Sequence, residues 1–313
     1  MSATLAPLVP VRGDANKALV RTYQRWLVKQ GAAIKVDGDY GKATAKAAEQ
    51  YGAPGERPVP PICAWVDRAW ATDTADTLKT VKTQFRAAKV GLMLNSVGDG
   101  PEFKPFGNRD DIRRFADGLA KIGTGVDFTI WLWPSMSYLN AALDFVGPLL
   151  AEYPQARLDL DTESAWASKR YSDADRRKVA DELDRRVPPG RVSVNDYVTL
   201  QKVTRILLVP GVRRRPQCYS VGYTTFSGAR NETHPGSIYY PGETQARGLE
   251  IWGDACAGPL DMGIALYKPV AGMDVATQVE RQIAGALWAE PEELWCWQLR
   301  TSKDYHVAIQ RFL

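Results

Sequence analysis

The residues of this chain best suited to chemistry lie in one short run, ARLDLDTESAW, where Asp159, Asp161 and Glu163 occupy alternate positions between aliphatic or small residues. Successive side chains of a strand point to opposite faces, so these three carboxylates share one face while Leu158, Leu160 and Thr162 share the other. Ionised carboxylates held this close repel one another and resist desolvation, so the arrangement costs stability unless other groups compensate. A strand end whose acids pair with arginines would be the structural explanation. The chemical one is glycosidic cleavage, which needs one protonated acid to donate to the leaving oxygen and one anion to attack or to stabilise an oxocarbenium-like transition state. Neighbouring negative charge and partial burial would raise one pKa, which makes Glu163 the candidate acid, with Asp161 as its partner. Asp159 lies deeper, either tuning Asp161 through a shared proton or serving as an interior polar residue bonded to backbone or arginine. Asp67, ending the apolar run ICAWVD, is a further candidate.

Other chemistries lack the residues they need. The only histidines are His234 and His306, and the four cysteines, Cys63, Cys218, Cys256 and Cys296, are scattered, so a zinc hydrolase is disfavoured and no metal or cofactor is expected. A Cys63–His234 nucleophile is possible by count, but nothing around Cys63 suggests activation. No glycine-rich phosphate loop appears. The N-terminus shows no export signal and no stretch is apolar enough to span a membrane, which leads to the expectation of a soluble monomer without membrane insertion.

The acids must be positioned by a larger framework. Of 313 residues, those from Pro61 onward approach the roughly 250 of an eight-stranded β/α barrel. Candidate strands are 62–67, 89–96, 127–134, 156–163, 191–198, 217–224, 263–269 and 294–300. Helical stretches lie between most of them, at Thr74 to Ala88, Arg109 to Ile122, Ser137 to Tyr153 and Ser172 to Val187. The chain after Val203 is less regular, and 227–260 reads as an elaborated loop. In such barrels chemistry sits at the C-terminal strand ends, where Glu163, Asp161 and Asp67 fall. Nine of the ten tryptophans lie in this region. Most are expected in the core, with Trp166, Trp252 and Trp297 as candidate sugar contacts together with Asn95 and Asn195.

Ahead of the barrel, residues 1 to 50 carry eight Lys or Arg against four acids, a net of +4 that equals the charge of the whole chain. A basic module suits an anionic partner, nucleic acid or bacterial cell wall. The stretch GAPGERPVPP marks the boundary, giving residues 1–52 as a small all-α domain, 53–61 as a linker and 62–313 as the barrel. Asp14 can cap a first helix, and Leu19, Tyr23, Leu27, Val36, Tyr40, Ala47 and Tyr51 form its expected core.

The positions Tyr23-Gln24, Val36-Asp37-Gly38, Tyr40-Gly41 and Thr44 with Ala47 resemble the peptidoglycan-binding type 1 domain, a three-helix module, over about one-sixth of the chain. The chain departs from that pattern at Tyr23 and Lys42. Asp161-Thr162-Glu163 on strand four with Asp67 on strand one resembles the family 25 lysozymes, which implies Glu163 as acid with Asp161 and Asp67 as partners. The wider Asp159-to-Glu163 run also resembles the DxDxE end of the family 18 chitinase signature, in which the substrate's acetamido group attacks; Tyr223 on strand six would then be the helper. WPSMS stands where that family has a glycine-rich strand-three motif. The combination resembles modular phage endolysins, which implies peptidoglycan as partner rather than nucleic acid. It also implies residence in the host cytoplasm until the membrane is permeabilised, and release that depends on a holin. A non-catalytic wall-binding protein is the reading from another class.

Overall fold

The structure, a computed structural model, describes residues 3–12, 14, 16–96, 98, 100–219, 240–266, 270, 272–297 and 303–313. A two-residue strand, β1 (Thr4–Leu5), precedes helices α1 (Lys17–Lys29) and α2 (Lys42–Tyr51) and pairs antiparallel with β2 (Arg57–Pro58). Eight parallel strands follow: β3 (Ile62–Val66), β4 (Lys89–Met93), β5 (Gly125–Trp131), β6 (Leu158–Asp161), β7 (Val192–Tyr197), β8 (Arg213–Gln217), β9 (Met262–Ala265) and β10 (Leu294–Trp297). Their order is β8-β7-β6-β5-β4-β3-β10-β9. The two outer strands meet through Asp261 N–H to Arg214 O at 2.8 Å and Arg214 N–H to Pro259 O at 2.9 Å, which closes a (β/α)8 barrel.

Around it lie α3 (Ala69–Thr72), α4 (Thr74–Thr80), α5 (Arg109–Lys121), α6 (Met136–Glu152), α7 (Asp173–Arg186), α8 (Glu243–Trp252), α9 (Val275–Ala286) and α10 (Lys303–Ile309). The sequence explains where several of them start. Asn108 with Asp111 and Ser172 with Asp175 form reciprocal capping boxes on α5 and α7, satisfying first-turn N–H groups that no helix can satisfy internally. Between β7 and β8 the connection is a 3-10 turn at Lys202–Leu207 rather than an α-helix.

The sixth barrel strand departs from the sequence expectation. It is RRRPQ, Arg213–Gln217, rather than 217–224; residues 220–239 lie outside the described residues. Arginines and a proline give no apolar alternation, yet every residue of the strand is buried. Arg213 and Arg215 point into the barrel, and Arg214 points outward to bond the Trp252, Gly253 and Gly258 carbonyls at the end of α8. The expected loop 227–260 accordingly contains α8 in its described part.

The apolar core fills the layer between sheet and helices. Inside the barrel the filling is different. Trp65 and Trp295 pack with ring centres 4.9 Å apart, and Gly91 admits them, since a Cβ there would lie 2.7 Å from Trp65 Cδ1 and 2.9 Å from Trp295 Cζ3. Below them the fully buried Arg215 guanidinium lies 3.8 Å from the Trp295 ring centre and pairs with Asp127 (2.8 Å), Asp159 (3.1 Å), Asp261 (3.0 Å) and Glu293 (3.2 Å). Lys89, Arg157 and Arg213 complete the compensation of these acids.

The N-terminal segment holds two helices among its described residues. Asn16, not Asp14, caps α1, accepting the Leu19 N–H at 2.9 Å, while Asp14 accepts from Asn16 N–H. Buried Gln24 organises the VDGDYG turn: its oxygen accepts the Asp37 and Gly38 N–H groups, and its amide donates to Asp37, Asp39 and Thr44. Gly38 has φ +85° and would place a Cβ 2.9 Å from Lys17 Cβ, which requires glycine. Val36, expected in the core, is exposed. Tyr23 and Leu27 pack instead with Trp288 of the barrel, whose indole N–H donates to Leu8 O at 2.7 Å.

Candidate active site at the barrel mouth

Cα partners across neighbouring parallel strands face the same side of the sheet, so register places the mouth residues. Asp161 of β6 pairs with Trp131 of β5 and Asn195 of β7, and all three face inward. Glu163 lies just past the C-terminal end of β6, half-buried, as the same-face continuation of Asp159 and Asp161. The three acids therefore lie along one face of the strand, but the structure gives them different duties.

Asp159 is fully buried and saturated. It accepts from Trp65 Nε1 (2.9 Å), Thr129 Oγ1 (3.1 Å), Ser193 Oγ (2.7 Å) and Asn195 Nδ2 (2.9 Å), besides its ion pair with Arg215. That is the interior structural role. Asp161 is buried with a single long side-chain contact, Gln217 Nε2 at 3.4 Å, and accepts the Glu163 main-chain N–H. Burial, reinforced by the charges of Glu163, Asp159 and Asp196, pushes its pKa well up. Glu163 rises to about 7, chiefly through desolvation, with the nearby Gln217 amide and Tyr197 phenol opposing the rise. At neutral pH a large fraction of Glu163 is protonated, the state that a general acid requires.

Two other groups hold the site. Asn195 links Asp159 to the mouth, because its Oδ1 accepts from Gln217 Nε2 at 2.6 Å and Gln217 in turn reaches Glu163. On the outer side of β7, Asp196 accepts from Tyr197 N–H, Gln201 N–H, Gln201 Nε2 and Thr204 Oγ1, and the same Gln201 amide donates to the Glu163 carbonyl at 2.9 Å. The acid's main chain is thus tied to the neighbouring strand.

The remaining expected site residues differ in burial and in what they bond. Asp67 lies past β3 with one carboxylate oxygen accepting the Ala69 N–H at 2.9 Å, and it is not among the largest charges acting on Asp161 or Glu163. Trp166 and Trp252 are core residues, fully buried, their indole N–H groups satisfied by the Val203 carbonyl and by those of Tyr197 and Val198. Asn95 is also buried, accepting Trp131 N–H and donating to Tyr138, so it ties strand ends together. Trp297 is half-buried at the end of β10 beside Trp65, where a sugar face can meet it. Tyr223 and His234 lie outside the described residues. Cys63 is buried with its thiol pKa pushed well up by desolvation, the opposite of an activated nucleophile.

Three mouth residues are not evident from the sequence alone: Tyr197, Gln217 and Trp131. The alternation Ser193, Asn195, Tyr197 carries Tyr197 to the mouth, and Asp127, Thr129, Trp131 does the same for Trp131. Gln217 is hidden by the shifted boundary of the sixth barrel strand.

Fold and site together define a (β/α)8 barrel with carboxylic acids at the C-terminal mouth. Among solved structures the chain is similar to the Bacillus cereus spore cortex-lytic enzyme SleL, at 9% identity over 99% of this chain and 87% of that one, with a TM-score of 0.50. The endo-1,4-β-mannanase of Rhizomucor miehei matches at 9% identity over 82% and 94% of the two chains, and the exo-β-1,4-mannosidase Op5Man5 of Opitutaceae bacterium strain TAV5 at 11% over 77% and 52%, both with a TM-score of 0.50. At such identities the likeness is one of fold. No family model and no curated protein matches the chain.

Proposed function

We propose that the chain is a glycoside hydrolase that cleaves the glycan strands of bacterial peptidoglycan, with Glu163 as general acid. The observation that carries this reading is the half-buried Glu163, raised to about 7, at the mouth of the barrel beside a second buried carboxyl. The spore cortex-lytic activity in the name of SleL, whose fold is matched along almost the whole of this chain, supports the choice of polymer. The proton on Glu163 passes to the glycosidic oxygen as the bond to the anomeric carbon breaks; the carboxylate left behind then takes a proton from the incoming water.

Two readings of the attacking group follow. In the lysozyme-type muramidase, Asp161 or Asp67 would be the anionic partner. In the family 18-like N-acetylglucosaminidase, the substrate's own acetamido oxygen attacks, and Asp161 orients and stabilises it. One observation favours the second: Asp161 is buried and raised well above the usual carboxylate range by desolvation and the neighbouring acids, which outweigh the opposing Glu163 N–H, and this suits a proton-bearing partner better than a free nucleophile. Host-cell lysis as a phage endolysin released by a holin extends this proposal, and expression in a bacterial host with and without a co-expressed holin tests that extension. The site itself is tested by reducing ends released from purified peptidoglycan: wild type generates them and Glu163→Gln does not. Equal release by both would remove Glu163 from the reaction.

A further inference from the structure

Three inner-face residues of β8 climb from the floor of the barrel to its mouth, Arg213, Arg215 and Gln217, at the two-residue period of a strand. Register sets Arg215 level with Asn195 of β7 and Asp161 of β6, and Gln217 one step higher beside Tyr197. Arg215, Asn195 and Gln217 are all buried. A buried cation is thereby joined to the acids of the mouth by a run of polar contacts whose direction has one solution.

The direction starts from charge. A guanidinium keeps its proton at any pH that a folded protein meets, and that of Arg215 lies 3.1 Å from one oxygen of Asp159. The other oxygen of Asp159 accepts the Trp65 indole N–H at 2.9 Å, from a group that can only donate. Asp159 is therefore an anion and offers acceptors alone, so the Asn195 amide turns its NH2 toward it, at 2.9 Å. This leaves Asn195 Oδ1 facing the mouth. An amide oxygen only accepts, so Gln217 turns its own NH2 down to it, with Nε2 at 2.6 Å. The same nitrogen carries a second hydrogen and lies 3.4 Å from Asp161 Oδ1, with the Glu163 carboxyl nearby. Were either amide reversed, two oxygens would meet at 2.6 Å or 2.9 Å inside the barrel with no hydrogen between them.

We infer that Asn195 and Gln217 are positioning residues of the acid, carrying the orientation imposed by Arg215 and Asp159 up the barrel so that Glu163 meets an N–H rather than a carbonyl oxygen. The inference rests on the proposed role of Glu163 and deepens it. As the Glu163 O–H bond breaks and its proton passes to the glycosidic oxygen, the electron pair stays on a carboxylate at which the Gln217 N–H is already aimed, and no dipole has to turn. The charges that act on this end of the barrel are those of Asp159 and Asp161 on β6 and of Asp196 on β7, with the Tyr197 phenol beside them. From β8 the facing group is the neutral Gln217. Asn195 acts on Glu163 through Gln217.

The test titrates Glu163 itself, by carbon NMR of the full chain with its glutamate carboxyls isotopically labelled, the Glu163 signal being the one absent from Glu163→Gln. Gln217→Met keeps the length of the side chain and removes the donor, so the Glu163 midpoint is expected to rise by about one pH unit. On purified peptidoglycan the same variant should lose roughly tenfold in kcat with KM within about twofold of the parent. Asn195→Ala leaves Asp159 its ion pair with Arg215 and three other donors. It should raise the midpoint in the same sense, and that rise should vanish in the Gln217→Met background. A midpoint unmoved by either variant overturns the inference, as does an Asn195→Ala effect that persists in full beside Gln217→Met. A wild type that cleaves no glycan would sink the hydrolase reading instead, and the midpoints would still decide whether the two amides act on Glu163.

Discussion

Glu163 is held in a place that suits its neutral form, and that has a thermodynamic signature. In the unfolded chain it titrates near its ordinary 4.5, and in the folded chain near about 7. Between those values the native state binds a proton that the unfolded state has lost, so stability falls as pH rises through the window and levels off above it. The interval corresponds to ~3 kcal/mol. Partial exposure of the side chain, and the interactions with Tyr197 and Gln217 that a neutral amide replaces imperfectly, reduce the expected gain to about 2 kcal/mol. Glu163→Gln should therefore be nearly neutral for stability at pH 4 and stabilising by about 2 kcal/mol at pH 8.5, while turnover is lost. Urea denaturation of both proteins across that range measures it. A stability difference that does not change with pH would refute the placement of a raised acid at this position.

Other perturbations separate the site from its scaffold. Asp159→Ala strips Arg215 and four hydrogen-bond donors of a fully buried partner and should destabilise by about 3–5 kcal/mol by urea denaturation. Asp161→Asn, which removes a carboxyl that already resists ionisation, should leave the melting temperature at neutral pH within a few degrees while lowering kcat at least tenfold. Tyr197→Phe removes the phenol whose interaction with Glu163 favours the ionised form, so the basic limb of the kcat profile should move to higher pH; an unchanged limb would break the link between the two residues. Gly91→Ala forces a methyl against the indoles of Trp65 and Trp295 and should cost about 2–3 kcal/mol, read as a fall in the denaturation midpoint.

Much of the framework is legible in the amino-acid sequence. The period-two acids of the fourth barrel strand and the alternation of strands and helices depend on local side-chain direction, which sequence states directly. What is not legible depends on the inside of the barrel. The sixth strand is expected at 217–224 because RRRPQ shows no apolar alternation, its arginines being matched by Asp127, Asp159, Asp261 and Glu293 from distant parts of the chain, a compensation that no local window contains. Trp166 and Trp252 mislead for a related reason: an indole beside polar residues looks available for sugar, yet each ring is buried with its N–H on a backbone carbonyl.

That Glu163 protonates a glycosidic oxygen of peptidoglycan is tested most directly by mass spectrometry of fragments released from purified peptidoglycan and reduced with borohydride to mark each new end. Reduced N-acetylglucosamine ends are expected with wild type and none with Glu163→Gln. Reduced muramic ends would keep the glycosidase and return the case to the lysozyme-type reading, whereas free peptides without new sugar ends would contradict a glycosidase altogether.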